Sequence, residues 1–218
     1  MKAKDKPEAE TRMALLHAAG EVFASVGFRA ATVREICRLA GANVAAVNYH
    51  FGDKEKLYAE VWRYSHRCAL EKYPTDYGAG SGATPEDLLA AYIRSFLLRI
   101  FDTGSHAWFG KLISREMIEP TGALDQLVRE EIKPQMLHLG RIIAGLLGPV
   151  PHDTVELCAI SVVSQCVFYH HCFPAISRLM PHRKFAPADI ALLADHITHF
   201  SVAALHGIKM SSRSRRAK

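Results

Sequence analysis

The feature that most constrains this chain is a close succession of helix-start and helix-stop signals over residues 27–53. Thr32 and Glu35 have the spacing of a capping box, in which a hydroxyl and a carboxylate each bond an otherwise unpaired backbone N–H. Gly41 is a left-handed stop for the helix that begins there, and Asn43 is suited to cap another. These signals predict two short helices joined by a tight turn, the arrangement of a helix-turn-helix.

Apolar residues recur at helical spacing on both sides of this motif. Gly27 ends the preceding helix, and Asp53 caps the helix that follows. The first four helices are predicted at about 8–26, 32–40, 43–51 and 53–72. The sequence therefore predicts a compact helical domain over residues 8–72, with its helix-turn-helix at about 33–51.

A second helical domain is predicted over residues 84–208. It follows residues 74–83, a glycine-rich stretch of turn formers that is the best linker in the chain. Its helices are expected at about 85–102, 105–118, 122–147, 153–172 and 187–208, with Pro134 kinking or dividing the third of them and prolines separating the others. Because no strand-like alternation appears, the predicted fold class is all-α.

The basic balance of the chain lies in its last ten residues. The formal net charge is +5, and residues 209–218 alone carry five basic residues and no acid, which leaves the remainder at zero. The alkaline isoelectric point therefore describes a tail that we expect to be disordered. It does not by itself predict nucleic-acid binding.

Neither a membrane span nor a secretion signal is predicted. The longest apolar stretch, Leu157–Tyr169, falls short of the roughly 20 residues that a bilayer-spanning helix needs. The first ten residues are charged throughout, unlike a signal peptide. We therefore expect a cytoplasmic protein.

No metal or cofactor is predicted. The five cysteines contain no C-x-x-C pair, so buried thiols are the simplest interpretation, with redox sensing as the alternative. The residues His170, His171, Cys172, His196 and His199 could be assembled into a metal site, but packing or surface positions explain them more simply.

Two segments of the chain resemble a known family. Residues Phe23 to Leu57, FASVGFRAATVREICRLAGANVAAVNYHFGDKEKL, resemble the DNA-binding domain of tetracycline-repressor-family regulators. Within that family, the run NVAAVNYHFGDKE and the segment from Arg115 to Pro134, REMIEPTGALDQLVREEIKP, resemble the CecR-type subgroup. The resemblance implies a helix-turn-helix DNA-binding domain followed by a larger helical domain that senses a ligand and forms a dimer. The implied function is a transcriptional regulator, specifically a repressor released from a palindromic operator by a small-molecule effector.

The second helix of a helix-turn-helix enters the major groove with its N-terminal part. Val44, Ala45 and Ala46 offer only apolar contact with thymine methyls, so Asn48 and Tyr49 are the polar candidates for contact. The DNA-contacting positions carried over from the family are Thr32, Val33, Arg34, Asn43, Val44, Ala45, Asn48, Tyr49, His50 and Lys54. Val44 departs from the family pattern, in which many members have lysine or another polar residue.

An apolar effector pocket and a homodimer are also expected. The candidate pocket residues are Phe96, Trp108, Phe109, Arg115, Glu116, Met117 and Phe168, although an ordinary core explains the aromatic ones equally well. Arg115 and Glu116 are placed at the pocket edge, since a charged pair is costly to bury without a partner. The last two long helices are apolar on more than one face, and the resemblance implies that they form a four-helix dimer interface.

Two other classes of function are the alternatives to a DNA-binding regulator. An enzyme would need a nucleophile, base and orienting group, or an open metal site, and no nucleophile elbow, phosphate loop or zinc motif is present. A helical adaptor whose helix-turn-helix does not touch DNA is the other alternative. A gel shift with the promoter of the protein's own gene distinguishes all three.

Overall fold

A computed structural model describes residues 5–104 and 107–216, with side chains for 8–104 and 107–211. All regular structure in these ranges is helical, which confirms the all-α prediction. The helices are α1 (Asp5–Ala30), α2 (Val33–Ala40), α3 (Val44–Phe51), α4 (Lys54–Lys72), α5 (Pro85–Ile100), α6 (Phe109–Ile118), α7 (Leu124–Leu127), α8 (Lys133–Leu147), α9 (His152–His171), α10 (Phe173–Leu179) and α11 (Pro187–Arg216), with a π-helical turn (Val128–Ile132) between α7 and α8.

The chain divides into two compact units. The first comprises Met1–Glu71 and Thr103–Glu131, and the second comprises Lys72–Asp102 and Ile132–Lys218. The segment that contains α6 and α7 therefore groups with the helix-turn-helix by its contacts, although it lies within the second domain predicted over residues 84–208. The physical reason is that α6 packs on α1.

The first unit is built around α1, with α2 and α3 packed against it. Leu15, Ala19 and Phe23 of α1 are fully or almost fully buried, as are Ile36 of α2 and Val47 of α3. Burial of these apolar side chains is the main favourable contribution to the unit, at about 1.5–3 kcal/mol for each larger one. Their removal from water fixes the rotation of the two short helices about their axes.

The predicted ends of α2 and α3 are confirmed by their caps. Thr32 Oγ1 accepts a hydrogen bond from the Glu35 backbone N–H at 3.2 Å, and Asn43 Oδ1 accepts one from Ala46 N–H at 2.9 Å. Gly41 ends α2 in the left-handed region with φ 63°, which glycine adopts without the steric cost a Cβ brings. The turn between the helices is thus set by local chemistry.

One detail of the predicted capping differs. At Thr32 the structure shows only the hydroxyl's bond, whereas both bonds of a capping box are present between Thr84 and Asp87 at the start of α5. In that box Asp87 Oδ2 accepts from the Thr84 N–H at 2.9 Å. The full capping box therefore occurs at the start of α5, where an aspartate supplies the carboxylate, and not at the start of α2, where the sequence predicted it with a glutamate.

The second unit is organised around α5, which packs against α8, α9 and α11. Leu89, Ile93 and Leu97 of α5 have no measurable exposure, and Leu139 and Ile143 of α8 are equally enclosed. A helix buried on several sides needs apolar residues around most of its circumference. This requirement makes any charged residue on α5 notable.

Several predicted boundaries move. The helix expected from residue 105 begins at Phe109. The helix expected over 122–147 is interrupted by the π-helical turn just before Pro134, which confirms the division predicted at that proline. Proline lacks an N–H and clashes with the preceding turn, so it falls in the first turn of α8. The Pro174–Pro181 region, expected to be a connection, contains α10, because a proline is tolerated in a first helical turn.

The last helix also exceeds its prediction. α11 continues to Arg216, so the backbone of residues 209–216, which we expected to be disordered, is helical. No glycine or proline follows Gly207 to end the helix. Residues 217–218 of the predicted tail lie outside the described residues.

No single helix of the described chain is long and apolar enough to cross a bilayer. The segments Leu124–Leu147 and His152–His171 meet the length and composition requirement only as a pair, and that pair is bent by 113°.

Candidate nucleic-acid interface

The helix α3 has one buried side and one exposed side. Val47 and Phe51 point inward, one turn apart, and are 0 % and 7 % exposed. Val44 and Tyr49 on the outer side are 45 % and 73 % exposed. The exposed residues from the cap onward are Asn43, Val44, Ala45, Asn48 and Tyr49. The surface that sequence analysis assigned to DNA is therefore accessible.

The chemistry of this exposed side changes along the helix. Its first turn presents Val44 and Ala45, which carry no hydrogen-bonding group, and its second presents Asn48 and Tyr49. The hydroxyl of Tyr49 hydrogen-bonds to the Glu8 carboxylate, and this bond raises the pKa of Tyr49. His50 is half-buried, with its ring 5.0 Å from that of Tyr49. The side can thus offer apolar contacts at one end and hydrogen bonds at the other.

Positive charge lies beside α3. Thr32 and Arg34 are exposed, and Val33 is half-buried at the first position of α2. Lys54 Nζ donates to the Ala31 carbonyl oxygen at 2.9 Å and lies 4.4 Å from the centroid of the Phe28 ring. This hydrogen bond therefore holds the backbone at Ala31, just before Thr32. It uses one of the three N–H donors of the Lys54 ammonium group. Free backbone N–H groups at a helix start also attract anions.

Arg38 is a further cation of this surface that was not among the positions predicted from the sequence. It is exposed on α2, one turn after Arg34. Neither guanidinium forms an ion pair with a residue in the described ranges. Two arginines at i and i+4 on the helix before a recognition helix were the available signal. With Lys54 they place three cations around α3.

Comparison with known proteins identifies the family. The model for bacterial regulatory proteins of the tetR family matches residues 15–61. The model for the C-terminal domain of the HTH-type transcriptional dual regulator CecR matches residues 85–208, more than half of the chain. This chain belongs to the TetR family of transcriptional regulators. The predicted resemblance, including the CecR-type C-terminal domain, is confirmed.

Individual relatives agree with this assignment. The dual regulator CecR of Shigella flexneri is 32 % identical over 154 residues, which are 66 % of this chain and 68 % of that protein. The repressor NicS of Pseudomonas putida is 26 % identical over 213 residues, covering 91 % and 92 %. The crystal structure of FadR from Bacillus subtilis with stearoyl-CoA has a TM-score of 0.66 and 20 % identity, covering 87 % and 97 %. CecR and NicS are transcriptional regulators, not enzymes, so these matches give no support to the enzyme alternative.

Trp108 and Phe109, two predicted pocket residues of this TetR-family regulator, belong to the core of the first unit. The Trp108 ring lies 6.0 Å from that of His17, and the Phe109 ring lies 5.5 Å from that of Trp62. A Cβ added at Gly20 would overlap the Trp108 ring, so glycine is needed for that ring to approach α1. Both aromatics are explained by packing.

Arg115 and Glu116, which were predicted to lie at the edge of the effector pocket, have separate hydrogen-bond partners in the first unit. Arg115 Nη2 donates to the Ser25 carbonyl oxygen at 2.5 Å, near the end of α1. Glu116, 1 % exposed, accepts from the Tyr58 hydroxyl at 2.8 Å and from the Thr121 N–H at 2.9 Å. Each charge has its own partners within the first unit, which removes the need for a ligand beside them.

The remaining predicted pocket residues are spread. Phe96 is buried on α5 in the second unit, whereas Met117 and Phe168 are 46 % and 54 % exposed. The predicted set therefore does not line one pocket within either unit. Of these three residues, Phe96 faces a buried charged group, the guanidinium of Arg99.

Three of the five cysteines are buried, namely Cys37, Cys158 and Cys166. Burial raises the pKa of Cys37 and of Cys158, and it raises the pKa of Cys166 to about 12, so these thiols stay protonated and unreactive near neutral pH. Burial also lowers the pKa of His170 to about 4. In the described ranges, His152, Asp153 and Glu156 form the one group with metal-ligand spacing, and all three are exposed. They differ from the residues considered from the sequence.

Proposed function

We propose that this TetR-family regulator is a repressor that binds a palindromic operator as a homodimer and is released by a small-molecule effector. The observation that carries the proposal is the exposed side of α3, held by Val47 and Phe51 and flanked by Arg34 and Lys54. A helix anchored in this way can enter the major groove while neighbouring cations bind phosphates. Asn48 and Tyr49 are the proposed polar contacts.

The direction of control is taken from the relatives. NicS is named a repressor and CecR a dual regulator. Repression requires only that the bound protein occupy DNA needed by the polymerase. It is therefore the simplest effect of operator binding.

The dimer is proposed from exposed apolar residues on α9 and α11. These two helices pack against each other, yet both keep a stripe of large hydrophobic side chains on the surface. The stripe consists of Leu157, Ile160 and Phe168 on α9 and Leu192 and Phe200 on α11. A contiguous exposed apolar surface is typical of a protein–protein interface. A second copy related by two-fold symmetry would cover it with the same surface.

We propose that the effector changes DNA binding through the segments of the chain that connect the two units. The chain passes between them three times, after Glu71, Asp102 and Glu131. The last crossing lies within the π-helical turn, a conformation frequent at functional sites. A ligand that favours the DNA-incompetent arrangement would lower operator affinity by its differential binding energy, typically about 1–3 kcal/mol. The stearoyl-CoA complex of FadR supports a small-molecule effector for this fold.

Operator recognition is tested with the variant Tyr49→Ala. We expect it to weaken binding to DNA from upstream of the protein's own gene by about 10- to 100-fold, because one contact to DNA is lost. The ring is 73 % exposed, so thermal stability should not change. Fluorescence anisotropy with that duplex and a scrambled one measures the effect. The matched control is Tyr77→Ala in the linker, where the ring is 39 % exposed. Equal losses from both variants would contradict the assignment.

Dimer formation is tested with Phe200→Asp. Burying a carboxylate in an apolar interface is costly, so the dissociation constant of the dimer should rise by at least about 100-fold. Light scattering at micromolar concentration would then show a monomer. Leu137→Asp on α8, where the leucine is 54 % exposed outside the stripe, is the control. A Phe200→Asp protein that remained dimeric would refute this interface.

A further inference from the structure

The interior of the second unit contains a charged group without a counter-charge. Arg99 on α5 is 1 % exposed, and its Nε and Nη2 atoms have no hydrogen-bond partner in the described ranges. Burial lowers the pKa of Arg99 to about 10, which leaves the guanidinium protonated at neutral pH. The groups that act on its charge are Tyr92, whose hydroxyl hydrogen-bonds to the guanidinium, and Cys166. Burial raises the pKa of each to about 12, so neither is an anion there.

The surroundings of this guanidinium are aromatic and apolar. Its central carbon lies 5.3 Å from the centroid of the Phe96 ring. The Phe96 and Tyr92 rings are stacked, with centroids 6.4 Å apart and planes 3° from parallel. Because Tyr92, Phe96 and Arg99 follow one another at i, i+4 and i+7, they share one side of α5. A cation–π contact offsets only part of the cost of removing a charge from water.

A second buried polar atom without a partner belongs to the start of α8. Gln135 Oε1 has no hydrogen-bond partner in the same ranges, and the backbone oxygen of Gln135 accepts from the Tyr92 hydroxyl at 3.5 Å. The hydroxyl of Tyr92 therefore links Gln135 to the side of α5 that carries Tyr92, Phe96 and Arg99. Buried polar groups in native proteins are normally satisfied, so the two unpaired guanidinium nitrogens of Arg99 indicate a missing acceptor. Gln135 Oε1 is itself an acceptor, so it needs a donor and is not satisfied by a carboxylate.

We propose that Arg99 binds the carboxylate of a small, largely apolar organic acid and that this acid is the effector. The inference rests on the proposed function, since it names the ligand class of the sensor domain. Nε and Nη2 lie on one edge of the guanidinium, and two parallel N–H donors match the two oxygens of a carboxylate. A phosphate would bring further oxygens into a site whose other neighbours are two aromatic rings, one tyrosine hydroxyl and a thiol, which offer too few donors to pair them.

The aromatic neighbours suggest benzoate as the probe. We expect isothermal titration calorimetry of the full-length protein to show benzoate binding about 10- to 100-fold more tightly than benzamide, which has the same shape without the charge. Arg99→Met should lose that preference. The matched control is Arg94→Met on the same helix, whose guanidinium is partly exposed and lies 3.3 Å from the Asp195 carboxylate, and it should keep the preference.

Thermal unfolding provides a readout that a structural arginine would not give. Replacing an unpaired buried charge with an apolar side chain of similar length should raise the Tm of the ligand-free protein by about 2–4 °C. Benzoate should raise the Tm of the unchanged protein and leave that of Arg99→Met unaffected. A fall in Tm for the ligand-free variant would instead mean that Arg99 stabilises the fold through contacts of its own, and would overturn the proposal.

The other outcomes separate this inference from the proposed function. Equal binding of benzoate and benzamide, unchanged benzoate binding by Arg99→Met, or equal binding of inorganic sulfate would each reject an organic-acid site at Arg99. Operator binding is measured independently by gel shift. Intact operator binding without benzoate binding overturns the carboxylate site alone, and benzoate binding without any operator binding overturns the proposed function alone. Benzoate that binds but does not weaken the operator complex rejects the effector role.

Discussion

Operator affinity is expected to fall by about 10³-fold when the salt concentration rises from about 50 to 200 mM. Each protomer presents Arg34, Arg38 and Lys54 around α3, so a dimer would neutralise about six phosphates. Every neutralised phosphate releases condensed counterions and adds about −0.9 to the slope of log affinity against log salt. Anisotropy titrations at several potassium chloride concentrations measure that slope directly.

The salt dependence of the variants shows which residues bind phosphates. Arg34→Ala should make the slope shallower by about 2 in the dimer, because one phosphate contact is lost from each protomer. Arg67→Ala on α4 removes an arginine whose side chain is 66 % exposed and lies outside this surface, so the slope should not change. A slope near zero, or one that the two variants alter equally, would contradict phosphate anchoring by α2.

The largest expected effect on folding is that of Glu116→Ala, which should lower the free energy of unfolding by about 2–4 kcal/mol. The substitution removes the acceptor of the Tyr58 hydroxyl and of the Thr121 N–H, and each buried donor left unpaired costs about 1–3 kcal/mol. Urea unfolding followed by circular dichroism measures the change. Glu119→Ala, at an exposed position three residues later, should stay within about 0.5 kcal/mol of the unchanged protein.

The variant Glu116→Gln distinguishes hydrogen bonding from charge. Its carbonyl can accept from Thr121 while its amide donates to the Tyr58 hydroxyl oxygen, so the loss of stability should be smaller than for alanine. Equal losses for glutamine and alanine would show that the charge matters rather than the bonds.

Burial and the Glu116 carboxylate raise the pKa of Tyr58. The stability from the neutral phenol is therefore fully present below its ordinary pKa near 10 and declines as the pH rises above it.

Prediction from sequence succeeded where the cause is local. The caps Thr32 and Asn43 and the stop Gly41 act within four residues of themselves, and the structure places α2 and α3 between them. It failed where two local signals compete. Pro174 reads as a breaker but is also tolerated in a first helical turn, and α10 begins just before it. The division of the helix at Pro134 was predicted and is confirmed, but no residue pattern predicted that the interruption takes the form of a π-helical turn.

The positions of most helices and the turn of the helix-turn-helix follow from the sequence alone, because capping and periodicity depend on near neighbours. The sequence also predicted that Asn48 and Tyr49 are exposed. Partnerships between distant residues do not follow from it. Arg115 and Glu116 are adjacent, yet their side chains diverge by about 100° around α6, so one reaches α1 and the other Tyr58. In the same way, the absence of a carboxylate beside Arg99 depends on the helices that pack around α5. These helices are far apart in the sequence, so the packing of the folded chain decides which side chains meet there.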